Sequence, residues 1–315
     1  MRQLLLATLL ACTFAMAAAA PTKQIAVTID DLPVASVNGI DPGEQAEVTA
    51  KLLATLKAFG VPAIGFVNED KLYRDGRMDA GIALLIQWLD AGMALGNHNH
   101  GHIGLWAHSL TENEDAVVKG EVVTRRLTAE RHLPLRYYRH PYTQTGRNAE
   151  DKQAFEAFLA ARGYTVAPFT IEHDDYLFAC VYDRTFRNAP PSDLTVLERE
   201  YQAHLKQAVA TYESMAQQLF GRPIAQVLLI HANRLNANTL GQTLTTLREL
   251  GYGFIPLEEA LRDEAYRSPD LPSQQYGPSW LTRWAKQRGA KLSAYGHADP
   301  VGWTASQATT LCNTL

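Results

Sequence analysis

Cysteine is scarce in this chain, with three among 315 residues, at positions 12, 180 and 312. That is too few for a disulfide-built scaffold. Basic excess is missing as well: Lys and Arg number 29 against 33 Asp and Glu. The chain therefore carries no electrostatic footprint for nucleic acid. Long apolar runs are confined to Leu4–Ala18, which follows Met1-Arg2-Gln3 and leads into an alanine run ending at Pro21. A charged start, a short apolar stretch and small residues before the break read as a secretory signal over residues 1–20, cleaved near Ala20. Cys12 after Leu9-Leu10-Ala11 loosely resembles a lipid-attachment box, and the intact alanine run beyond it makes simple export, to periplasm or medium, the favoured reading. No integral membrane segment is expected after cleavage. Cys180 and Cys312 could pair in an oxidising compartment or remain two buried thiols.

About 295 residues remain, enough for one large domain. Short apolar, β-branched runs at Ile25–Ile29, Ala63–Val67, Ala94–Gly96, Leu135–Tyr138, Tyr164–Val166, Gln226–Ile230 and Tyr252–Ile255 alternate with helical periodicity. Helices are expected over Glu44–Phe59, Ile82–Leu89, Thr111–Glu130, Ala149–Ala161, a long stretch between Pro191 and Pro223 capped by Ser192 or Asp193, Asn238–Leu250 and Trp280–Gln287. Alternating strands and helices imply an α/β fold with a parallel sheet, as a barrel or an open doubly wound sheet. The domain is placed at residues 21–265, with 266–315 as a C-terminal appendage packed on it.

The polar residues with chemical potential share a placement, because each follows the carboxyl end of an expected strand. Asp30-Asp31, His98 and His102, Arg139, Asp175 and His231 all do so. In a parallel α/β barrel those ends form one face, where active sites assemble. His98 and His102 would meet on one side of a helical turn, at i and i+4. With a carboxylate they make a metal site that keeps positions open for water.

Five segments in order, Thr28-Ile29-Asp30-Asp31, His98-x-x-x-His102, Arg139-His140-Pro141-Tyr142, Asp174-Asp175-Tyr176 and Leu229-Ile230-His231, make the chain resemble the NodB-homology polysaccharide deacetylases, a carbohydrate esterase family, over roughly residues 24–262. The resemblance implies a distorted (β/α)7 barrel and metal-dependent removal of acetyl groups from an acetylated glycan. It implies Asp31, His98 and His102 as ligands to one divalent ion, a set that suits zinc and also cobalt or nickel. Asp30 becomes the candidate general base, with Arg139 orienting it through a charge-assisted pair. His231 becomes the general acid and Asp175 the carboxylate holding its ring. The Tyr142 backbone N–H is the expected oxyanion donor, while Leu229 and Tyr176 would form the slot for the acetyl methyl. Asn99, Thr143 and Tyr176 depart from the family's usual residues, which bears on substrate more than on reaction. A catalytically inactive glycan-binding or envelope-structural relative is the alternative; a barrel amidohydrolase would need further histidines and a bridging lysine that the chain does not present.

Overall fold

A computed structural model describes residues 23–36, 39–186, 190–273 and 275–312. The expected signal segment and Cys12 lie outside them. The first strand, β1 (Lys23–Leu32), is followed by helix α1 (Pro42–Phe59), β2 (Ile64–Val67), α2 (Met78–Asp90) and β3 (Ala94–Asn97). Helices α3 (Leu110–Lys119) and α4 (Val122–Ala129) precede β4 (Tyr137–Tyr138), α5 (Ala149–Ala161) and β5 (Thr165–Val166). Then come α6 (Asp175–Thr185), α7 (Pro191–Phe220), β6 (Gln226–His231), α8 (Arg234–Glu249), β7 (Tyr252–Phe254) and α9 (Leu257–Ala260). The chain closes with α10 (Trp280–Gln287) and α11 (Trp303–Leu311).

The strands pair in the order β5-β4-β3-β2-β1-β6, with β7 on the first residues of β1. Every pairing is parallel. Just beyond β5, Ile171 forms an isolated parallel bridge to Leu228 of β6. The segment leaving one edge strand thus reaches the other, and the sheet curls into the distorted barrel. Ile25 to Leu32 supplies the centre of the core because both faces of β1 are covered, which is why the run reads as continuously apolar up to its aspartates. Helix α1 is fixed at both ends by a capping box between Asp41 and Glu44 and by Gly60 in the left-handed conformation.

Several expectations need correction. The helix expected over residues 111–130 is two helices, α3 and α4, broken between Lys119 and Val122. A Cβ on Gly120 would lie 2.6 Å from the Asn99 backbone, so the break lets the histidine loop pack closely there. Glu69 then caps α4 from a distant part of the chain, accepting from Val123 N and Thr124 N at 3.0 and 2.6 Å. Helix α7 begins at Pro191 with no side-chain cap, so Ser192 and Asp193 lie in its first turn. Helices α2 and α8 each start four residues early, α8 with the Asn233 side chain as its cap. Helices α6 and α11 lie where no helix was expected, and they pack together around the Cys180–Cys312 disulfide. In the C-terminal extension Trp280, Leu281 and Trp284 join the main apolar cluster.

Candidate active site

Strict strand alternation would send Asp30 and Asp31 to opposite faces of the sheet. The register of β1 against β2 shifts between Ile29 and Leu32, and Asp31 takes φ 73°, so both carboxylates reach the same end of the barrel. His98 directly follows β3, and its N–H is held by Val67 O at 3.0 Å. Residues 98–102 form a loop, not the expected helical turn. Asn99, Gly101 and His102 all have positive φ, and the loop is internally tied, since Asn99 N binds Asn97 Oδ1 while the Asn99 amide bonds the Ile103 backbone in both directions. Six of the seven described non-glycine residues with positive φ, namely Asp31, Asn99, His102, Tyr142, Thr143 and Asp174, lie in these strand-end loops. Such backbone persists only where its surroundings over-determine it, and it gathers at functional sites.

The loop brings His98 Nε2 and His102 Nε2 to 3.8 and 3.6 Å from Asp31 Oδ1. Two ligands each about 2.1 Å from one ion stand roughly 3.0–3.5 Å apart, so the three groups need only a small contraction. His98 Nδ1 lies 2.7 Å from the Arg139 carbonyl. A carbonyl can only accept, so this nitrogen carries the proton and Nε2 turns a lone pair toward Asp31. Burial holds both imidazoles below their ordinary pKa, keeping them neutral. Burial alone would raise Asp31, but Lys71, His102 and His98 outweigh it and hold the carboxyl well below the usual range. Oδ1 of Asp31 and Oδ1 of Asp30 are both buried without a hydrogen bond. A neutral pair of imidazoles facing a carboxylate with an orphaned oxygen fits a divalent ion.

Asp30 lies beside this group, with Oδ2 3.9 Å from His98 Nε2. Burial pushes its pKa up to about 6, against the pull of Arg139 and His231. Arg139 is wholly buried between the rings of Phe66 and Phe169. Its Nη1 reaches Asp30 Oδ2 at 3.4 Å, longer than a strong charge-assisted bond, while Nη2 donates to Thr28 Oγ1 at 2.9 Å. Opposite, Asp30 and His231 face each other across the β1–β6 register. Asp175 grips His231 twice, accepting from its backbone N–H and from Nδ1, each at 2.8 Å. Asn236 Nδ2 donates to the same carboxylate at 2.7 Å, and Tyr201 OH to Asn236 Oδ1 at 2.6 Å. Burial would discharge His231, but the Asp175 charge and hydrogen bond, helped by Asp31 and Asp30, push it up to about 9.

Across the first half of the chain, residues 17–158 match the polysaccharide deacetylase family model. Over that stretch, just under half of its length, the chain is similar to the polysaccharide deacetylase family. The match spans Asp30, Asp31, His98, His102, Arg139 and Tyr142 and stops before Asp175 and His231. No curated protein matches the chain. Among solved structures, the polysaccharide deacetylase of Bacillus cereus is 18% identical over 74% of this chain and 91% of its own, with a TM-score of 0.51. The peptidoglycan deacetylase of Bacillus subtilis is 20% identical, covering 76% and 92% of the two chains, with a TM-score of 0.49. A carbohydrate esterase family 4 pseudoenzyme of Bacillus anthracis is 18% identical, covering 76% and 66%, also at 0.49. At these identities the likeness is one of fold.

The pocket residues are more spread out. Tyr142 is half exposed, its ring edge-on to His102 at 4.5 Å between centroids. Leu229 is buried in the main apolar cluster, whereas Tyr176, in the first turn of α6, is more than half exposed. Asn99 and Thr143 hold loops together, Thr143 by donating to the Gly277 carbonyl of the C-terminal extension. Three contributions escaped sequence reasoning: Lys71, whose Nζ binds Asp31 O at 3.0 Å, the Arg139 carbonyl behind His98, and the Asn236–Tyr201 relay behind Asp175. Lys71 stands in a polar 3-10 stretch with no pattern to flag it. The other two depend on contacts far apart in the chain.

Proposed function

We propose that the protein is an exported, metal-dependent glycan deacetylase that hydrolyses an acetyl amide or ester. Asp31, His98 and His102 would hold a divalent ion, zinc being the best fit to a carboxylate and two imidazoles and cobalt or nickel being accepted by the same donors. The ion, when bound, supplies an acidified water and polarises the acetyl carbonyl.

Asp30 takes the water's proton as the oxygen attacks. Its raised pKa suits that task, since a base is most effective when its pKa approaches the working pH. Arg139 and Thr28 keep Asp30 in place, and the Arg139 charge keeps it from being protonated still more readily. The negative oxygen of the tetrahedral intermediate is met by the Tyr142 N–H. His231, held charged by Asp175, donates its proton to the departing sugar nitrogen or oxygen. The observation that carries this reading is the opposed pair at one strand-end level: a buried carboxylate with raised pKa facing an imidazolium locked to a second carboxylate. The Cys180–Cys312 bond supports an oxidising compartment outside the cytosol.

An acetate-release assay over chitin oligomers, peptidoglycan, acetylated xylan and acetylated exopolysaccharide, run on chelator-treated and zinc-restored protein, tests it. Release from at least one polymer that chelation abolishes and zinc restores is the expected result. Metal-restored protein that releases no acetate from any of them contradicts the proposal and leaves the inactive glycan-binding reading.

A further inference from the structure

Behind Asp175, away from the proposed catalytic ion, a second set of titratable groups converges from three parts of the chain. Glu172 and Asp174 come from the loop before α6, His204 and Tyr212 from α7, and His297 from the segment between α10 and α11. His204 Nε2 lies 3.2 Å and His297 Nδ1 3.5 Å from the same oxygen, Asp174 Oδ2. The two rings meet edge to face at 5.0 Å. Ligand atoms of Asp174, His204 and His297 all fall within 4.8 Å of one another, which the described residues repeat only at Asp31, His98 and His102. All three side chains are largely buried, at 15%, 6% and 7% exposure.

The chemistry of the neighbours is that of a metal site's outer layer. His297 Nε2 is 2.7 Å from Glu172 Oε1, and Tyr212 OH donates to that oxygen at 3.1 Å. A histidine whose far nitrogen is held by a carboxylate is fixed in ring orientation and made a stronger ligand. The ion pairs described for the carboxylates of Glu172 and Asp174 are all with imidazoles. His297 Nδ1 also faces the Ala298 carbonyl at 2.8 Å.

We propose that Asp174, His204 and His297 form a second divalent-cation site, which ties α7 and the C-terminal extension to the loop that leads into Asp175. Two imidazoles and one carboxylate select a borderline cation such as zinc, cobalt or nickel over calcium or magnesium. On binding, the His297 Nδ1 proton leaves to solvent and the nitrogen lone pair takes the ion, while the Nε2 proton stays on the ring and is donated to Glu172; His204 takes the tautomer with its proton on Nδ1, which turns the Nε2 lone pair from Asp174 to the ion. The dication then balances both carboxylates.

The decisive background is His98→Ala/His102→Ala, which removes the first cluster and makes the result independent of the proposed catalytic reading. The full chain in this background, stripped with chelator, loaded with zinc and desalted, should retain one equivalent by elemental analysis. Adding His204→Asn should remove it. Should His204→Asn fail to fold, Glu172→Gln serves instead, expected to weaken zinc binding about 10–100-fold without removing a ligand. Failure of the His98→Ala/His102→Ala protein to retain zinc, or retention unchanged by both further substitutions, overturns the second site.

Discussion

His98 and His231 occupy the same end of one sheet, and yet one is held neutral and the other positively charged. Behind His98 Nδ1 stands a carbonyl, that of Arg139; behind His231 Nδ1 stands a carboxylate, that of Asp175. Burial disfavours the imidazolium at both places, and only the carboxylate overcomes it. The group behind the ring therefore decides whether a buried histidine becomes a lone-pair donor or a proton donor. Asp30 and Asp31 repeat the lesson one residue apart, the first raised by burial and the second lowered by Lys71 and two histidines.

The largest expected effect comes from erasing the lone-pair side. His98→Ala/His102→Ala should lose the catalytic ion and, with it, acetate release to the background of the assay; metal analysis and activity on the same sample check both. Next, Asp30→Asn should keep that ion and lose on the order of 100-fold to 10,000-fold in kcat, the usual worth of a general base. Activity within a few-fold of wild type would remove Asp30 from the role.

On the proton-donor side, His231→Ala should cost nearly as much alone as together with Asp175→Ala, because the carboxylate has no catalytic task without its partner. Multiplying defects across that cycle would separate the two. Asp175→Asn alone should move the alkaline limb of the pH–rate profile to lower pH, since it removes what raises His231. The stability sign follows from the same shift. His231 goes from 6.5 unfolded to about 9 folded, so its contribution is complete below about pH 6.5 and disappears as pH rises through 9. Urea midpoints across that window should fall in wild type and stay flatter in Asp175→Asn. The smallest change is Tyr201→Phe, which loosens Asn236 behind Asp175 and should shift the alkaline limb the same way by less than Asp175→Asn does.

Strand-end placement was legible because buried parallel strands write themselves as apolar runs, and a charged residue just past such a run has few places to go. All seven strand runs are found where the periodicity points, with Asp30, Asp31 and His231 in the last residues of β1 and β6 and Asp175 opening α6. What stayed hidden depends on contacts distant in sequence. The 111–130 stretch keeps helical periodicity throughout, and its break follows from the Asn99 backbone pressing on Gly120 and from Glu69 capping α4. Spacing of four between His98 and His102 suits a helix equally well, but Asn99 and Gly101 turn the chain into a loop that brings the rings together by another route. Helices α6 and α11 draw their apolar partners from each other and from α7, so neither shows a stripe strong enough to read alone.

The split between the two histidines can be observed directly. In nitrogen-15 spectra of histidine-labelled protein at pH 7.5, with signals assigned through His98→Ala and His231→Ala, His231 should show both ring nitrogens protonated and titrate near 9. His98 should show a proton on Nδ1 alone. A His231 ring that is neutral at pH 7.5 and titrates near 6.5, or a His98 ring protonated on Nε2, would contradict the assignment of proton donor and ligand on which the account rests.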